Sequence, residues 1–105
     1  MSDLNYNEKG LIPAIIQDIN TGDVLMLGYM NEETLELTLS SGDAWFFSRS
    51  RQELWHKGAT SGNYIKVREI RKDCEDNSLL VLAEPTGPVC HTGNKNCYFR
   101  KLDEE

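Results

Sequence analysis

The sequence predicts a small α+β fold that is mostly β, with short antiparallel strands and one main helix. Three observations support this prediction. The chain has 105 residues and no internal repeat, linker or low-complexity tract, so residues 1–105 are expected to form a single domain. Short runs rich in β-branched and aromatic residues alternate with segments rich in Gly, Pro, Asn and Ser. One further segment, at about 31–41, carries the start and stop signals of a helix.

The predicted strands begin with a hairpin. Residues 11–19 and 24–30 are apolar runs, and the sequence NTGD between them has the composition of a tight turn. The later runs that predict strands are 44–49, 53–57, 64–73, 78–84 and 97–102. Two long segments, GATSGN and EPTGPVCHTGNKN, are predicted to be loops.

The predicted helix begins after Asn31, whose side chain is suited to cap it. Two glutamates follow in the first turn, where negative charge is favourable at the positive end of the helix dipole. Leu35 and Leu39 are spaced to share one helix face, and Gly42 marks the end.

The charge of the chain limits its partners. Seventeen acidic residues against eleven basic ones give a net charge of −6, which argues against nucleic-acid binding because that needs an excess of Lys and Arg. No apolar run is long enough to span a membrane, and residues 1–10 lack the features of a secretory signal, so a cytoplasmic location is expected. An anionic substrate would require a local basic patch or a metal ion.

The three cysteines, Cys74, Cys90 and Cys97, lie within a short part of the sequence. Their spacing is not that of a paired zinc ribbon, and in a reducing compartment a disulfide framework is not expected. Three thiolates match the three protein ligands of many catalytic zinc sites, with the fourth position open to water. The alternative is that they are buried cysteines without a ligand.

Several stretches, in order from about Gly10 to Arg100, resemble the phosphoribosyl-AMP cyclohydrolase family of histidine biosynthesis. They are GLIPAIIQD, GDVLMLGYMN, FFSRSRQELWHKGATSG, DCEDNSLLV and GPVCHTGNKNCYFR. The resemblance implies a zinc-dependent hydrolase that adds water to C6 of the adenine ring of phosphoribosyl-AMP. The N1–C6 bond then opens to give an imidazole carboxamide.

The resemblance also implies an intertwined homodimer in which each Zn²⁺ is shared between chains. Cys90 and Cys97 would come from one chain and Cys74 from its partner. Three thiolates leave zinc a weaker Lewis acid than three neutral histidines would, so a nearby base is expected. His91 is the candidate for this base or proton shuttle; the alternatives are a structural hydrogen bond or a fourth zinc ligand.

The family's acidic motif beside the first cysteine binds Mg²⁺, and here it corresponds to Asp73, Glu75 and Asn77. In an extended strand these three residues would share one face, while the cysteine between them would point the other way. The family pattern usually has Asp where this chain has Glu75 and Asn77. Asp76 would substitute if a bulge turned it inward, and the simpler alternative is a solvated acidic turn.

The substrate-binding candidates lie between residues 49 and 62. Arg49, Arg51 and Lys57 are predicted to hold phosphates, because Arg binds them in a bidentate manner and Lys acts as a point charge. Trp55 would pack either on a flat base or in the core.

The loop GATSG completes the substrate-binding set. Ser61 and Gly62 match a family loop that contacts substrate, and Ala59 stands where family members usually carry Glu. Two other hypotheses remain open at this point. The chain could be a non-catalytic structural-zinc module that binds a protein partner, or a diverged cyclohydrolase relative with another substrate.

Overall fold

The computed structural model describes residues 4–104. Within them lie six strands, one α-helix and a short 3₁₀ helix. Their bounds are β1 Ile12–Asp18, β2 Val24–Met30, α1 Glu32–Ser41, β3 Trp45–Ser48, β4 Glu53–His56, β5 Ile65–Lys72, β6 Leu79–Pro85 and a 3₁₀ turn Leu102–Glu104. The mostly β, α+β prediction is confirmed. In this part of the chain no helix is long and apolar enough to cross a membrane.

The main sheet has four strands in the order β2-β1-β6-β5. β1 pairs antiparallel with β2, and β5 pairs antiparallel with β6, as adjacent strands in a hairpin do. β1 and β6 are parallel, so the prediction of antiparallel strands throughout is wrong at the centre of the sheet. The two central strands, β1 and β6, alternate buried and partly exposed residues along most of their length. The chain between them forms the other elements before β6 pairs with β1.

The helix confirms the predicted boundaries. The Asn31 side chain accepts a hydrogen bond from the Thr34 amide at 2.8 Å, and the Thr34 hydroxyl accepts one from the Asn31 amide at 2.9 Å. Gly42 ends the helix with a φ of 79°, in the left-handed region that glycine adopts without strain. Of the two leucines predicted to share a face, Leu35 is buried and Leu39 is 54% exposed, because the helix packs inward mainly through threonines.

The hairpin β3–β4 forms a separate two-stranded sheet that packs against β2 and α1. Phe46 of β3 is buried, and its ring lies directly against Gly28 of β2. A Cβ atom at Gly28 would come within 2.5 Å of the Phe46 ring, so glycine is required here by close packing and not by its backbone angles.

We expect Gly28→Ala to lower the free energy of unfolding by about 1–3 kcal/mol, because the added methyl group overpacks a filled core. Urea denaturation at equilibrium measures the change. In a Phe46→Leu background the same substitution should cost clearly less, since the smaller side chain removes the clash. Equal costs in both backgrounds would contradict the packing explanation.

The segment predicted as a strand at 97–102 is not a strand. The Cys97 amide donates to the Leu25 carbonyl of β2 at 2.8 Å, but the next amide, of Tyr98, donates to the Asn96 side chain at 2.8 Å. That local turn interrupts the pairing that a strand along β2 would need. The aromatic residues of this segment, which suggested a strand, are exposed.

Candidate functional site

Cys90 and Cys97 are brought together by the loop that follows β6. A tight turn forms where the Gly93 amide donates to the Cys90 carbonyl at 3.0 Å and the Cys90 amide donates to the Asn94 carbonyl at 3.1 Å. The bond from Cys97 to β2 then places the second thiol near the first, so that each side chain affects the pKa of the other. That these two cysteines bind one metal ion stays a prediction.

The surroundings of the two thiols shift their pKa values in opposite directions. Hydrogen bonds from the Thr92 hydroxyl, 3.1 Å from Cys90 Sγ, and from the Thr92 amide lower the pKa of Cys90. Partial desolvation raises the pKa of Cys97, and the negative charge of a Cys90 thiolate adds to this effect. Cys90 is therefore the more readily ionised of the two thiols, and thiolates are ligands that soft cations prefer.

Lys57 lies beside this thiol pair. Its ammonium group donates to the Val89 carbonyl, one residue before Cys90, at 2.5 Å, and its charge favours the thiolate form of both cysteines. Arg51 and Lys57 flank opposite ends of β4, a four-residue strand that spans about 13 Å. Within one chain Lys57 is therefore separated from Arg49 and Arg51, and its contact next to the cysteines was not evident from sequence spacing. Phosphate binding by Lys57 stays a prediction.

A second lysine fixes the far side of the cysteine loop. Lys95 Nζ lies 2.7 Å from the carboxylate of Asp23 and 3.7 Å from that of Asp18, in the turn between β1 and β2. Burial alone would raise the pKa of Asp18, but backbone hydrogen bonds from Asn20 and Thr21 and the charge of Lys95 outweigh it and lower that pKa. Sequence reasoning missed this anchor because the partners are far apart in the chain.

Cys74 lies elsewhere, in the exposed turn between β5 and β6. Among the side chains that the structure describes, no three from His, Cys, Asp or Glu are grouped closely enough to hold a metal ion. Zinc bound by thiols therefore fits this chain only as a half-site, with Cys90 and Cys97 supplying two ligands and a third coming from outside this chain.

The predicted strand face of Asp73, Glu75 and Asn77 is wrong, because residues 73–78 form the turn that closes the β5–β6 hairpin. Asp73 Oδ1 accepts hydrogen bonds from the amides of Asn77 at 2.9 Å and Ser78 at 3.2 Å. A carboxylate that bonds its own following amides stabilises a turn, and this competes with an extended backbone.

The side chains of Asp76 and Asn77 in this turn are also engaged. Asp76 has a φ of 58° and lies 3.3 Å from the Lys72 ammonium. The Asn77 amide, oriented with its nitrogen toward Asp73, donates to that carboxylate at 2.7 Å. The hydrogen bond from the backbone amide of Asn77, above all, lowers the pKa of Asp73. One chain thus presents no prepared magnesium site here, and the assignment of Mg²⁺ to these residues stays a prediction.

His91 follows Cys90 in the same turn and is exposed. The other histidine, His56, is engaged elsewhere: its ring stacks on Trp45 with centroids 4.3 Å apart, and its Nε2 lies 3.3 Å from Asp43. Only His91 is therefore placed beside the thiol pair with its ring open to solvent. Its role as a base or proton shuttle stays a prediction.

Arg49 and Arg51 lie in the β3–β4 loop, beside a cavity of about 550 Å³ between that hairpin and β2. Trp55 lines the same cavity and packs with its other side against Phe46, at 5.6 Å between ring centroids. Trp55 therefore packs against the core and lines the cavity; that it packs on a flat base stays a prediction. The Arg49 guanidinium carbon lies 4.0 Å from the centre of the Tyr29 ring, a contact that sequence reasoning missed.

Ser61 and Gly62 are exposed in the loop after β4. The Gly62 amide donates to the Gly58 carbonyl at 2.7 Å, and the Ser61 hydroxyl accepts from the Asn63 amide at 3.2 Å. These bonds close the loop upon itself next to Lys57. Substrate contact by Ser61 and Gly62 stays a prediction.

The fold and the site define a small mixed-sheet domain with a paired-thiol centre next to a lysine and a histidine. The family model for phosphoribosyl-AMP cyclohydrolase matches residues 26–99, which include the β3–β4 and β5–β6 hairpins and all three cysteines. The chain belongs to the phosphoribosyl-AMP cyclohydrolase family, as its resemblance implied.

Curated relatives agree with this membership. The chain is 50% identical over 105 residues to the phosphoribosyl-AMP cyclohydrolase of Pelotomaculum thermopropionicum, covering 100% of this chain and 81% of the relative. It is 56% identical over 97 residues to that of Listeria monocytogenes, covering 92% of each.

Two longer relatives are named as bifunctional proteins. The chain is 57% identical over 105 residues to the histidine biosynthesis bifunctional protein HisIE of Caldanaerobacter subterraneus, covering 100% of this chain and 51% of the relative. A HisIE protein of Bacillus subtilis is 55% identical over 103 residues, covering 98% of this chain and 49% of the relative. The chain thus spans about half the length of these bifunctional relatives.

Proposed function

We infer that this chain hydrolyses the N1–C6 bond of the adenine ring of phosphoribosyl-AMP, a step of histidine biosynthesis. Family membership supports the reaction, and the observation that supports the chemistry is the pair formed by Cys90 and Cys97 with Lys57 beside it. Zinc bound by thiolates would supply a nucleophilic water near neutral pH. The rest of the reaction falls to groups of the chain.

The reaction requires both protons of the attacking water to move. Oxygen from that water adds to C6, the N1–C6 bond breaks, and C6 becomes the carboxamide carbon. One proton of the water ends on the exocyclic nitrogen of C6, which becomes the carboxamide NH₂, and the other proton ends on N1. His91, exposed beside Cys90, is suited to accept this proton and to return it to N1. Lys57 holds the cysteine loop through the Val89 carbonyl and offsets the negative charge of the thiolates.

We also infer an intertwined homodimer with the zinc site shared between chains. Cys74 lies apart from the other two cysteines within a chain, so a second copy is the natural source of the third thiolate. Several large apolar residues are more than a third exposed and would be covered by such a partner. They are Ile19, Val24, Leu27, Leu39, Leu54, Tyr98, Phe99 and Leu102.

Ring opening tests the activity directly. Purified, zinc-loaded protein is incubated with phosphoribosyl-AMP, and the change in ultraviolet absorbance follows the loss of the purine ring. Steady turnover that depends on zinc is expected. Stoichiometric zinc without turnover would support instead the structural module or a relative with another substrate. Magnesium enters this proposal only as a cation recruited with the substrate phosphates, and no step depends on it.

Subunit complementation tests the shared site. Cys74→Ser and Cys90→Ser proteins are each expected to be inactive as homodimers. The two proteins are mixed in equal amounts, unfolded together and refolded with zinc. Half of the resulting dimers should then contain one chain of each variant, and each of these mixed dimers has one intact site. About a quarter of the unaltered activity should return.

A control mixture pairs two defects from the same half-site, Cys90→Ser with Cys97→Ser. No intact site can form in that mixture under the proposed arrangement, so no activity should return. Recovery in the control, or none in the first mixture while both chains fold and dimerise, would contradict sharing.

A further inference from the structure

The cavity between β2 and the β3–β4 hairpin combines aromatic walls with a cationic rim. Its walls are formed by residues 27–29 of β2 and by residues 46–51 and Trp55 of the hairpin. The rings of Trp55 and Phe47 give it flat apolar surfaces, while the end of β3 and the following loop contribute two arginines and two serines. Such a combination suits a ligand that carries both a ring and an anionic group.

The Arg49 side chain is exposed but is held in place. Its guanidinium carbon lies 4.0 Å from the centre of the Tyr29 ring, within the range of a cation–π contact. A guanidinium stacked by its face on a ring keeps the hydrogen-bond donors at its edge free. The loop beneath it is fixed as well, because Gln52 Nε2 donates to the Arg49 carbonyl at 2.7 Å.

The surroundings of Arg49 fit a phosphate monoester. The hydroxyls of Ser48, at the end of β3, and Ser50, in the following loop, lie 3.5 Å apart. Arg51 adds a second cation whose only nearby carboxylate, among the described residues, is that of Glu53 at 3.6 Å. In a chain with a net charge of −6, this is a local concentration of positive charge. Phosphate oxygens favour bidentate contact with arginine together with hydroxyl donors.

The position of Tyr29 relates this cavity to the thiol pair. The Cys97 amide is bonded to Leu25 of β2, and Tyr29 lies four residues further along the same strand, about 13 Å away. A ligand whose purine reaches the thiols must therefore extend along β2 for its phosphate to reach Arg49. A nucleotide has this extended form, with its ring and its phosphate at opposite ends.

We propose that Tyr29 is a positioning residue, which holds Arg49 at the mouth of the cavity as the main contact for a phosphate of the substrate. In naming that substrate the proposal rests on the function inferred above. The binding of a phosphate monoester in the cavity does not depend on turnover and is tested separately.

The binding test compares AMP with adenosine, which differs from it only by the phosphate. In nuclear magnetic resonance titrations of the zinc-loaded protein, AMP should shift the side-chain Nε–H signal of Arg49 and adenosine should not. Arg49→Met should weaken AMP binding roughly 10- to 100-fold, the value of one or two charge-assisted hydrogen bonds. Arg68→Met, which removes an exposed arginine paired with Glu84 on the main sheet, is the matched control and should leave AMP binding unchanged.

The kinetic test separates Tyr29 from a purely structural role. Tyr29→Leu should raise KM for phosphoribosyl-AMP about two- to fivefold with kcat preserved, because only the cation–π contact is lost. Tyr29→Phe keeps that contact and should restore the KM of the unaltered protein. Thermal denaturation of both variants shows whether each remains folded at the assay temperature.

Three results would overturn the proposal: equal binding of AMP and adenosine, AMP binding unaffected by Arg49→Met, or Leu and Phe variants with the same KM. Absence of turnover by the unaltered protein would instead refute the inferred reaction, and the AMP titration would still decide whether the cavity binds phosphate.

Discussion

Replacing Cys90 or Cys97 by serine is expected to abolish both turnover and tight zinc binding. Either change leaves only one of the two cysteine ligands that a chain would supply. The serine hydroxyl does not ionise near neutral pH and so does not replace the lost thiolate. The effect should be larger than for any other single substitution considered, because the nucleophilic water and the metal are lost together.

Zinc content after dialysis and ultraviolet ring-opening assays measure the two effects on the same samples. Thr92→Val is a matched control: it removes only the hydroxyl that lies 3.1 Å from Cys90 Sγ, and it should retain stoichiometric zinc. Cobalt substitution adds a readout that needs no turnover, because the absorption from sulfur-to-cobalt charge transfer should weaken in each serine variant. Full activity in a zinc-free serine variant would refute the proposed mechanism.

Replacing His91 by alanine is expected to lower kcat by about 10²–10⁴-fold while zinc remains bound, which is the usual contribution of a single acid–base group. The reason is its exposed position directly after Cys90, where a ring nitrogen is free to exchange a proton with a bound water or with N1. Stopped-flow or steady-state ring opening gives kcat, and metal analysis gives the zinc content.

His56→Ala is the matched control for this histidine. That ring stacks on Trp45 and contacts Asp43, so its loss should lower the free energy of unfolding and leave most of kcat. Loss of zinc from His91→Ala would show that His91 is a ligand. An unchanged kcat would show that the proton moves through another group.

The position of Lys57 shows what proximity in sequence does not determine. The sequence marks it as a cation near two arginines, and phosphate binding follows from that proximity in sequence. The intervening strand β4 carries it to the opposite end of the hairpin, where its ammonium group bonds the Val89 carbonyl beside the thiol pair. The separation is a property of extended backbone, which moves residues apart at about 3.3 Å per residue.

The acidic turn at residues 73–78 shows a similar limit of prediction from sequence. Alternation of side chains would place Asp73, Glu75 and Asn77 on one face only if the backbone were extended, and nothing in the local sequence excludes this. The Asp73 carboxylate instead accepts two amides from the residues that follow it, which closes the turn between β5 and β6. Short side chains of this kind support both conformations, so the hairpin pairing decides between them.

The sequence by itself determined the elements whose signals are local: the capped helix after Asn31, the first hairpin, the mostly β character and the family motifs with their cysteines. Tertiary structure alone decided that β6 returns parallel to β1, that residues 97–102 form no strand, and that Tyr29 meets Arg49. The physical reason is the range of the interactions. Caps and turns are fixed by bonds between neighbours in sequence, whereas strand partners and stacked side chains are selected by burial and hydrogen bonding among segments far apart in the chain.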